Sequence, residues 1–363
     1  MTVGGIRVRF ATVDDEQAIL DFLHSHWKHD HIFVTNPELM RWQHRSPLNP
    51  EAGLTFVVAE HTLCADSNPI IGLLGYIPFN RFDPEANWTE LALAIWKVRD
   101  DAETPGLGIQ VLKYLDRELA PSLICAIGIS EVVKPIYKAL GYHLGAMQQL
   151  ALFPAIKSTE TKIASGVPDS GRSIIPIGDS VELQPLEKTN LLNEDFTFQI
   201  DKLGQLSLPR KSCRYLRQRY SDHPWYEYRF HLIKIMSESR ALVVSRQVSA
   251  AGSKILRIVD FLGDPEALCQ SAGALQRMVE SEGYEYLDVV AYGINQVRLR
   301  EFGFVDAFNE PGLILPNYFS PFEKRNIRID FAFKKSKDYV DKEVHLFRAD
   351  SDQDRPNSQI DLY

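Results

Sequence analysis

Two short segments far apart in the chain are versions of one device: ELMRWQHRSP (38–47) and YLRQRYSDHP (215–224). Each reads as a basic-aromatic helix stopped by proline, which lacks an amide hydrogen and clashes with the turn before it. Each precedes a run of strands, and the elements that follow recur in order. In the first half LTFVVAE (54–60), PIIGLLGYIPF (69–79) and WTELALAIWKV (88–98) read as strands. IQVLKYLDREL (109–119) is an amphipathic helix and SLICAIGI (122–129) a wholly apolar strand. EVVKPIYKALGY (131–142) is a helix closed by Gly141, and QQLALFP (148–154) a closing strand. In the second half ALVVSRQV (241–248) and KILRIVDFLG (254–263) are strands, 265–283 a helix and YLDVVAYG (286–293) a strand. A helix over 295–304 ends at Gly303, and NIRIDFAF (326–333) closes the series. Such recurrence predicts two copies of one unit. The expected fold class is α/β (α+β): two tandem units, each a mixed twisted sheet flanked by helices.

Domain boundaries follow from where the pattern lapses. Residues 1–155 form the first unit, opened by the strand IRVRF (6–10) and a helix capped at Thr12. KSTETKIASGVPDSGRS has no apolar periodicity, so 156–180 reads as an exposed linker. The second unit spans 181–335 and a tail 336–363. Of the 363 residues 45% are hydrophobic and 24% charged, enough apolar content for two cores. The net charge of -8 argues against nucleic acid or an anionic membrane as partner. There is no signal-peptide core and no apolar run of membrane-spanning length, so the expected location is cytoplasmic. Cys64, Cys125, Cys213 and Cys269 form no C-x-x-C pair and read as buried, reduced thiols.

The sharpest site signal is Glu103-Thr-Pro-Gly106-Leu107-Gly108-Ile, between a long strand and a strong helix. Two glycines let a ligand approach the backbone, and the free N–H groups of a helix start face an anion. A diphosphate suits such a turn; a plain tight turn is the alternative. About thirty residues on, a helix carries Tyr137-K-A-L-Gly141-Tyr142.

With this order of elements, the chain resembles the GNAT-type N-acetyltransferase superfamily, over residues 6–154 by motif and 181–333 by topology. More narrowly it looks like tandem GNAT-like proteins encoded among bacterial surface-sugar genes. The resemblance implies acetyl-CoA as cofactor, held along Ile95, Lys97, Val98, Gly106, Leu107, Gly108 and Ser130. It also implies a backbone N–H on strand 90–98 for the oxyanion and Tyr137 as the acid that protonates the leaving thiolate. Glu90 and His31 are the candidate bases. The family's Gln or Arg before the loop is Glu103 here, which leaves Lys97, Arg99 or Lys113 to supply positive charge.

Four of the chain's ten histidines fall in HSHWKHDH (24–31). His24 and His26 are two apart and diverge by about 200° on a helix, so the zinc spacing i, i+4 is not met and no metal is expected. Histidines at a helix end suit the negative end of its dipole. His31, followed by Ile32 and Phe33, is the one expected to face substrate, with Trp96. The second copy has no glycine loop, and Leu299 stands where Tyr137 would, so one site per chain is expected. The second copy then either shapes the acceptor pocket or forms a homodimer contact. In the tail, Asp350, Asp352, Asp354 and Asp361 have partial calcium-loop spacing, but Arg355 replaces the glycine of the sixth position. It reads as solvated; the alternative is a tail that folds back, with Asp352 or Arg355 on the acceptor. The expected activity is N-acetylation of a small-molecule amine, a nucleotide-linked amino sugar for surface polysaccharide. The alternatives are acyl or aminoacyl transfer to a peptidoglycan precursor, or a non-catalytic acyl-CoA-binding module.

Overall fold

A computed structural model of the chain describes residues 2–3, 5–46, 53–62, 68–155, 161–178 and 180–357. The first stretch forms β1 (Thr2–Val3), β2 (Ile6–Thr12), α1 (Glu16–His26), α2 (Ile32–Thr35), α3 (Pro37–His44), β3 (Gly53–His61) and β4 (Ile70–Pro78). It continues with β5 (Leu91–Val98), α4 (Leu107–Leu119), β6 (Leu123–Ile127), α5 (Lys134–Ala139) and β7 (His143–Ala146). Next come β8 (Gln148–Leu152), β9 (Val181–Leu186), α6 (Glu194–Gly204), α7 (Cys213–Leu216), β10 (Arg229–Ile235), β11 (Glu238–Ala250) and β12 (Ser253–Gly263). The chain ends with α8 (Pro265–Gln270), α9 (Ala272–Ser281), β13 (Leu287–Tyr292), α10 (Gln296–Glu301), β14 (Val305–Asp306), β15 (Asp330–Lys335) and β16 (Leu346–Phe347).

These strands make two mixed sheets, ordered β1-β2-β3-β4-β5-β6-β15-β7 and β14-β8-β13-β12-β11-β10-β9, with β16 added beside β13. One unit comprises the residues up to Leu144, Phe331–Val340 and the segment from Arg355; the other comprises Gly145–Asp330 and Asp341–Asp354.

The closing strands are exchanged. QQLALFP, read as the end of the first sheet, pairs with β13 in the second: Leu150 faces Val289 and Leu152 faces Leu287. The strand read as closing the second copy, β15, pairs with β6 in the first, Phe333 opposite Cys125. Both strands are apolar enough to close either sheet. Which sheet each joins is decided by long-range pairing, which local pattern does not encode.

Two expectations of exposure also differ from the structure. Within the segment read as a linker, Ile163 and Ala164 are buried. The Glu285 carboxylate accepts the N–H groups of Lys162, Ile163 and Ala164, which gives those main-chain donors the partners burial demands. Residues 156–160 lie outside the described residues. The acidic stretch of the tail is not solvated: Asp350, Asp354 and Arg355 are all buried. Asp361 lies outside the described residues, as does Cys64; Cys125, Cys213 and Cys269 are buried free thiols.

The repeat itself is visible in matched helix ends. Tyr142 N–H donates to the Tyr137 carbonyl at 3.0 Å past Gly141 (φ 81°). Phe304 N–H donates to the Leu299 carbonyl at 3.0 Å past Gly303 (φ 93°). Each glycine takes the left-handed conformation that closes a helix. In the first unit α4 turns Leu107, Val111, Leu112 and Leu115 inward, at helical spacing, against Leu91 and Leu93 of β5. Each such buried side chain contributes about 1.5–3 kcal/mol. That packing fixes the start of α4 against the end of β5, which is where the site lies. Among the described residues no helix is long and apolar enough to cross a membrane.

Candidate active site

The site begins with a parting of strands. β5 and β6 run parallel but pair only at Leu91, Ala92 and Leu93, opposite Ile124, Cys125 and Ala126. β5 stays on β4 as far as Val98. At Ala94 and Ile95 it carries an extra residue: Leu93 faces Tyr76 but Trp96 faces Leu74. Such a bulge bends a strand and re-aims its groups, and bulges collect beside active sites. Opposite it stands Gly75, where a Cβ would lie 2.9 Å from the Phe56 ring and 3.3 Å from His44.

Beyond Val98 the chain turns through an acidic loop into α4. Gly106 occupies the N-cap at φ 78°, with no side-chain cap, and a Cβ built on it would meet nothing within 4 Å. Gly108 is close to the Trp96 indole, 3.2 Å from its Nε1 to a built Cβ. Leu107 N–H donates to the Thr104 carbonyl at 3.3 Å and Gln110 N–H to that of Gly106 at 3.1 Å, which leaves the Gly108 and Ile109 N–H groups at the helix start to face an anion. This mouth fits a diphosphate by backbone alone. Of the expected cations, Lys97 is paired with Asp100 (2.6 Å) and Arg99 with Asp101 (2.8 Å), while Lys113 lines a separate cavity of about 370 Å³ with Asp116 and Lys334. Glu103 is exposed, so its charge is solvated rather than held at the mouth.

Tyr137, on α5, is 2% exposed and touches Trp96 edge-on with ring centroids 5.6 Å apart. Burial raises its pKa well above the ordinary value, with a smaller contribution from Cys125, so the phenol keeps its proton at neutral pH. Gly108, Trp96 and Tyr137 thus form one continuous wall, with Leu107 buried beside it and Val98 partly so; Ile95 is also buried. Ser130 is exposed just before the helical turn that leads into α5.

The other face of the sheet carries the second group. Leu91 and Leu93 face α4, so by alternation Glu90 and Ala92 face away from it. Glu90 is completely buried. On that face His44 bonds the Thr55 hydroxyl through Nδ1 at 3.0 Å and packs edge-on against Phe33. His31 caps α2: its Nδ1 accepts the Phe33 N–H at 3.2 Å. Its Nε2 stands 3.4 Å from Arg355 Nη2, and the Arg355 guanidinium lies 5.0 Å from the Phe33 ring centroid. Burial first, then the Arg355 charge, pushes the pKa values of His31 and His44 down to about 3. Of the substrate candidates, His31 and Arg355 come together, whereas Asp352 belongs to the second unit. His44 lies inside ELMRWQHRSP, where the sequence marks only a basic-aromatic helix and no site role for the imidazole. Among the described residues no three His, Cys, Asp or Glu side chains group as metal ligands do.

The second copy parts its strands in the same way and then fills the gap. β12 pairs with β13 only at Leu256, Arg257 and Ile258, and stays on β11 to Gly263. Beyond that fork β16 pairs with β13, Phe347 opposite Ala291. Asp264 caps α8 with its own carboxylate, accepting the Glu266 N–H at 2.9 Å.

No protein-family model matches the chain, and no curated protein is similar to it in sequence. Solved structures are similar in fold. A GCN5-related N-acetyltransferase from Anabaena variabilis aligns at TM-score 0.55 and 12% identity, over 91% of this chain and 72% of its own. GCN5-related N-acetyltransferases from Kribbella flavida and Sphaerobacter thermophilus align at TM-scores 0.49 and 0.44, each at 11% identity. They cover 91% and 92% of this chain, and 71% and 97% of their own. The chain has the mixed α/β fold of two GNAT-like units, as the first of these alignments and the two sheets agree.

Proposed function

We propose that the chain is an acetyl-CoA-dependent N-acetyltransferase with one active site, in the first unit, whose acceptor is the amine of a nucleotide-linked amino sugar. The observation that carries this reading is the parting of β5 from β6 beside the uncapped glycine mouth of α4. Acetyl-CoA, when bound, supplies an activated acyl thioester. The chain's part is orientation and proton handling, since holding an amine against such a group removes most of the entropic barrier.

N–H groups of α4 from Gly108 onward hold the diphosphate, and the main chain of Ile95, Lys97 and Val98 accompanies the arm. Bulge N–H groups at Ala94 and Ile95 are aimed off the ladder and serve the oxyanion; one such donor is typically worth ~10²–10³ in rate. Tyr137 holds the proton for the leaving sulfur. Glu90 is the better base of the two candidates. A histidine whose pKa is pushed down to about 3, with its Nδ1 accepting the Phe33 N–H and an arginine facing its Nε2, has little basicity to offer. Glu90 is wholly buried, so in this reading an intervening water relays the proton to it. His31 and Arg355 then flank the acceptor on the same face, and the arginine suits the phosphates of a nucleotide.

Thiol release from acetyl-CoA, screened against 3-amino and 4-amino sugar nucleotides and against peptidoglycan-precursor amines, tests the reading. Turnover with an amino-sugar nucleotide is the expected result. Turnover confined to peptide amines would replace the acceptor class. CoA binding with no turnover on any amine would make the chain a binding module.

A further inference from the structure

The second unit holds a buried arginine whose Nε has no hydrogen-bond partner among the described residues. Arg219, Arg246 and Arg348 all bear on one carboxylate, Asp354, which is fully buried. Arg246 reaches it through Nε at 2.8 Å and Nη2 at 2.7 Å, and the Tyr228 hydroxyl donates to it at 2.8 Å. Arg219 Nη2 donates to the Asp354 main-chain oxygen at 3.4 Å. Nearby, Arg257 is matched by Asp288, with Nε to Oδ1 at 2.9 Å and Nη2 to Oδ2 at 2.6 Å.

Arg348 is bonded differently. It is 4% exposed, and its Nη1 donates to the Asn317 side-chain oxygen at 3.0 Å. Among the described residues its Nε makes no hydrogen bond. Burial first, then the like charge of Arg257, outweighs the Asp354 carboxylate and lowers its pKa to about 10. The carboxylate that acts on it, Asp354, is already bonded by Arg246 and Tyr228, and a buried cation short of counter-charge is destabilising. Guanidinium forks match the paired oxygens of carboxylates and phosphates. The cluster also has a solvent side. The Arg246 side chain retains 13% exposure and lies 4.2 Å from the Tyr226 ring centroid, and Arg348 lies 5.6 Å from that of Tyr318; both tyrosines are half-buried.

We infer that Arg348, Arg246 and Arg219 form an oxyanion site in the second unit, separate from the mouth of α4, that takes a carboxylate or phosphoryl group of a small molecule. The inference does not depend on the proposed transferase activity.

Thermal denaturation of the full chain at fixed ionic strength, titrated with inorganic phosphate, acetate or chloride, tests it. The Gly106→Val background keeps the α4 mouth from contributing. Millimolar phosphate should raise Tm by roughly 2–4 °C over chloride. An equal response to acetate assigns a carboxylate-sized site; a response to phosphate alone assigns a phosphoryl group. Arg348→Met should abolish the response and, without added anion, be at least as stable as the parent, since it removes a buried charge short of counter-charge. Arg348→Lys, which keeps the charge and loses the fork, should weaken the response. No shift beyond chloride in the parent overturns the inference even if Arg348→Met fails to fold. So does an Arg348→Met protein that is less stable and still responds like its parent.

Discussion

The two sheets contain the same fork and use it in opposite ways. In the first, β5 leaves β6 after Leu93, and among the described residues no strand enters the gap. In the second, β12 leaves β13 after Ile258 and the chain's own β16 enters, its Phe347 packing on Phe261. Lys211 fastens that segment, paired with Asp260 of β12 on one side and with Asp350, just beyond β16, on the other. The helix mouths differ in the same sense: Gly106 leaves α4 open to an outside anion, while Asp264 gives α8 one of its own. A repeated unit can thus keep its backbone geometry while the gap between its strands is filled by the chain itself. Presence of the fold says little about which copy is active.

The sharpest way to break this contrast is at the first mouth. Gly106→Val should abolish CoA binding by isothermal calorimetry, a loss above ~10²-fold, or about 2.7 kcal/mol. A Cβ there meets no protein atom within 4 Å, so the fold should survive with the strain of a left-handed residue, about 1–2 kcal/mol. Gly106→Asn, which tolerates that conformation, should show the same trend with less strain. Retained binding in both would move the diphosphate away from α4.

Next in size is Tyr137→Phe, which should lower kcat by ~10²–10⁴ and leave the affinity for CoA unchanged. The matching residue of the second copy, Leu299, is a buried core side chain with no proton to give. Undiminished turnover in Tyr137→Phe would make the tyrosine a core residue as well, and erase the chemical difference between the copies.

How much of this was legible in the sequence depends on how local each signal is. The glycine mouth, the tyrosine helix and the matched Gly141 and Gly303 caps are short-range features, and their positions follow from backbone rules. The exchange of β8 and β15 is long-range: each strand reads the same whichever sheet it joins. The burial of the tail was hidden for a related reason. Asp350, Asp354 and Arg355 look solvated until Lys211, Arg246 and His31, far off in the chain, are brought to them. His44 gave no sign because a lone histidine acquires meaning only from what packs on it.

The plug in the second fork can be tested by loosening it. Phe347→Ala removes a fully buried ring and should cost about 3–5 kcal/mol in denaturant unfolding. CoA stoichiometry should remain one per chain. A second equivalent bound by this variant would mean that β16 alone closes the second fork.

The smallest expected effect separates the plug from the cap. Asp264 accepts the Glu266 N–H at 2.9 Å and pairs with Arg240 at 2.6 Å on a partly exposed surface. Asp264→Ala should therefore cost about 1 kcal/mol, the usual value of a lost N-cap. It also clears the resident negative charge from the start of α8 and leaves Arg240 to attract another. If that carboxylate were what keeps a diphosphate out, the variant would bind a second CoA. With β16 still seated between β12 and β13, an arm following the diphosphate has nowhere to go. The expected result in calorimetry is one equivalent of CoA at unchanged affinity. Two equivalents would shift the cause of the second copy's silence from the filled fork to a single side chain.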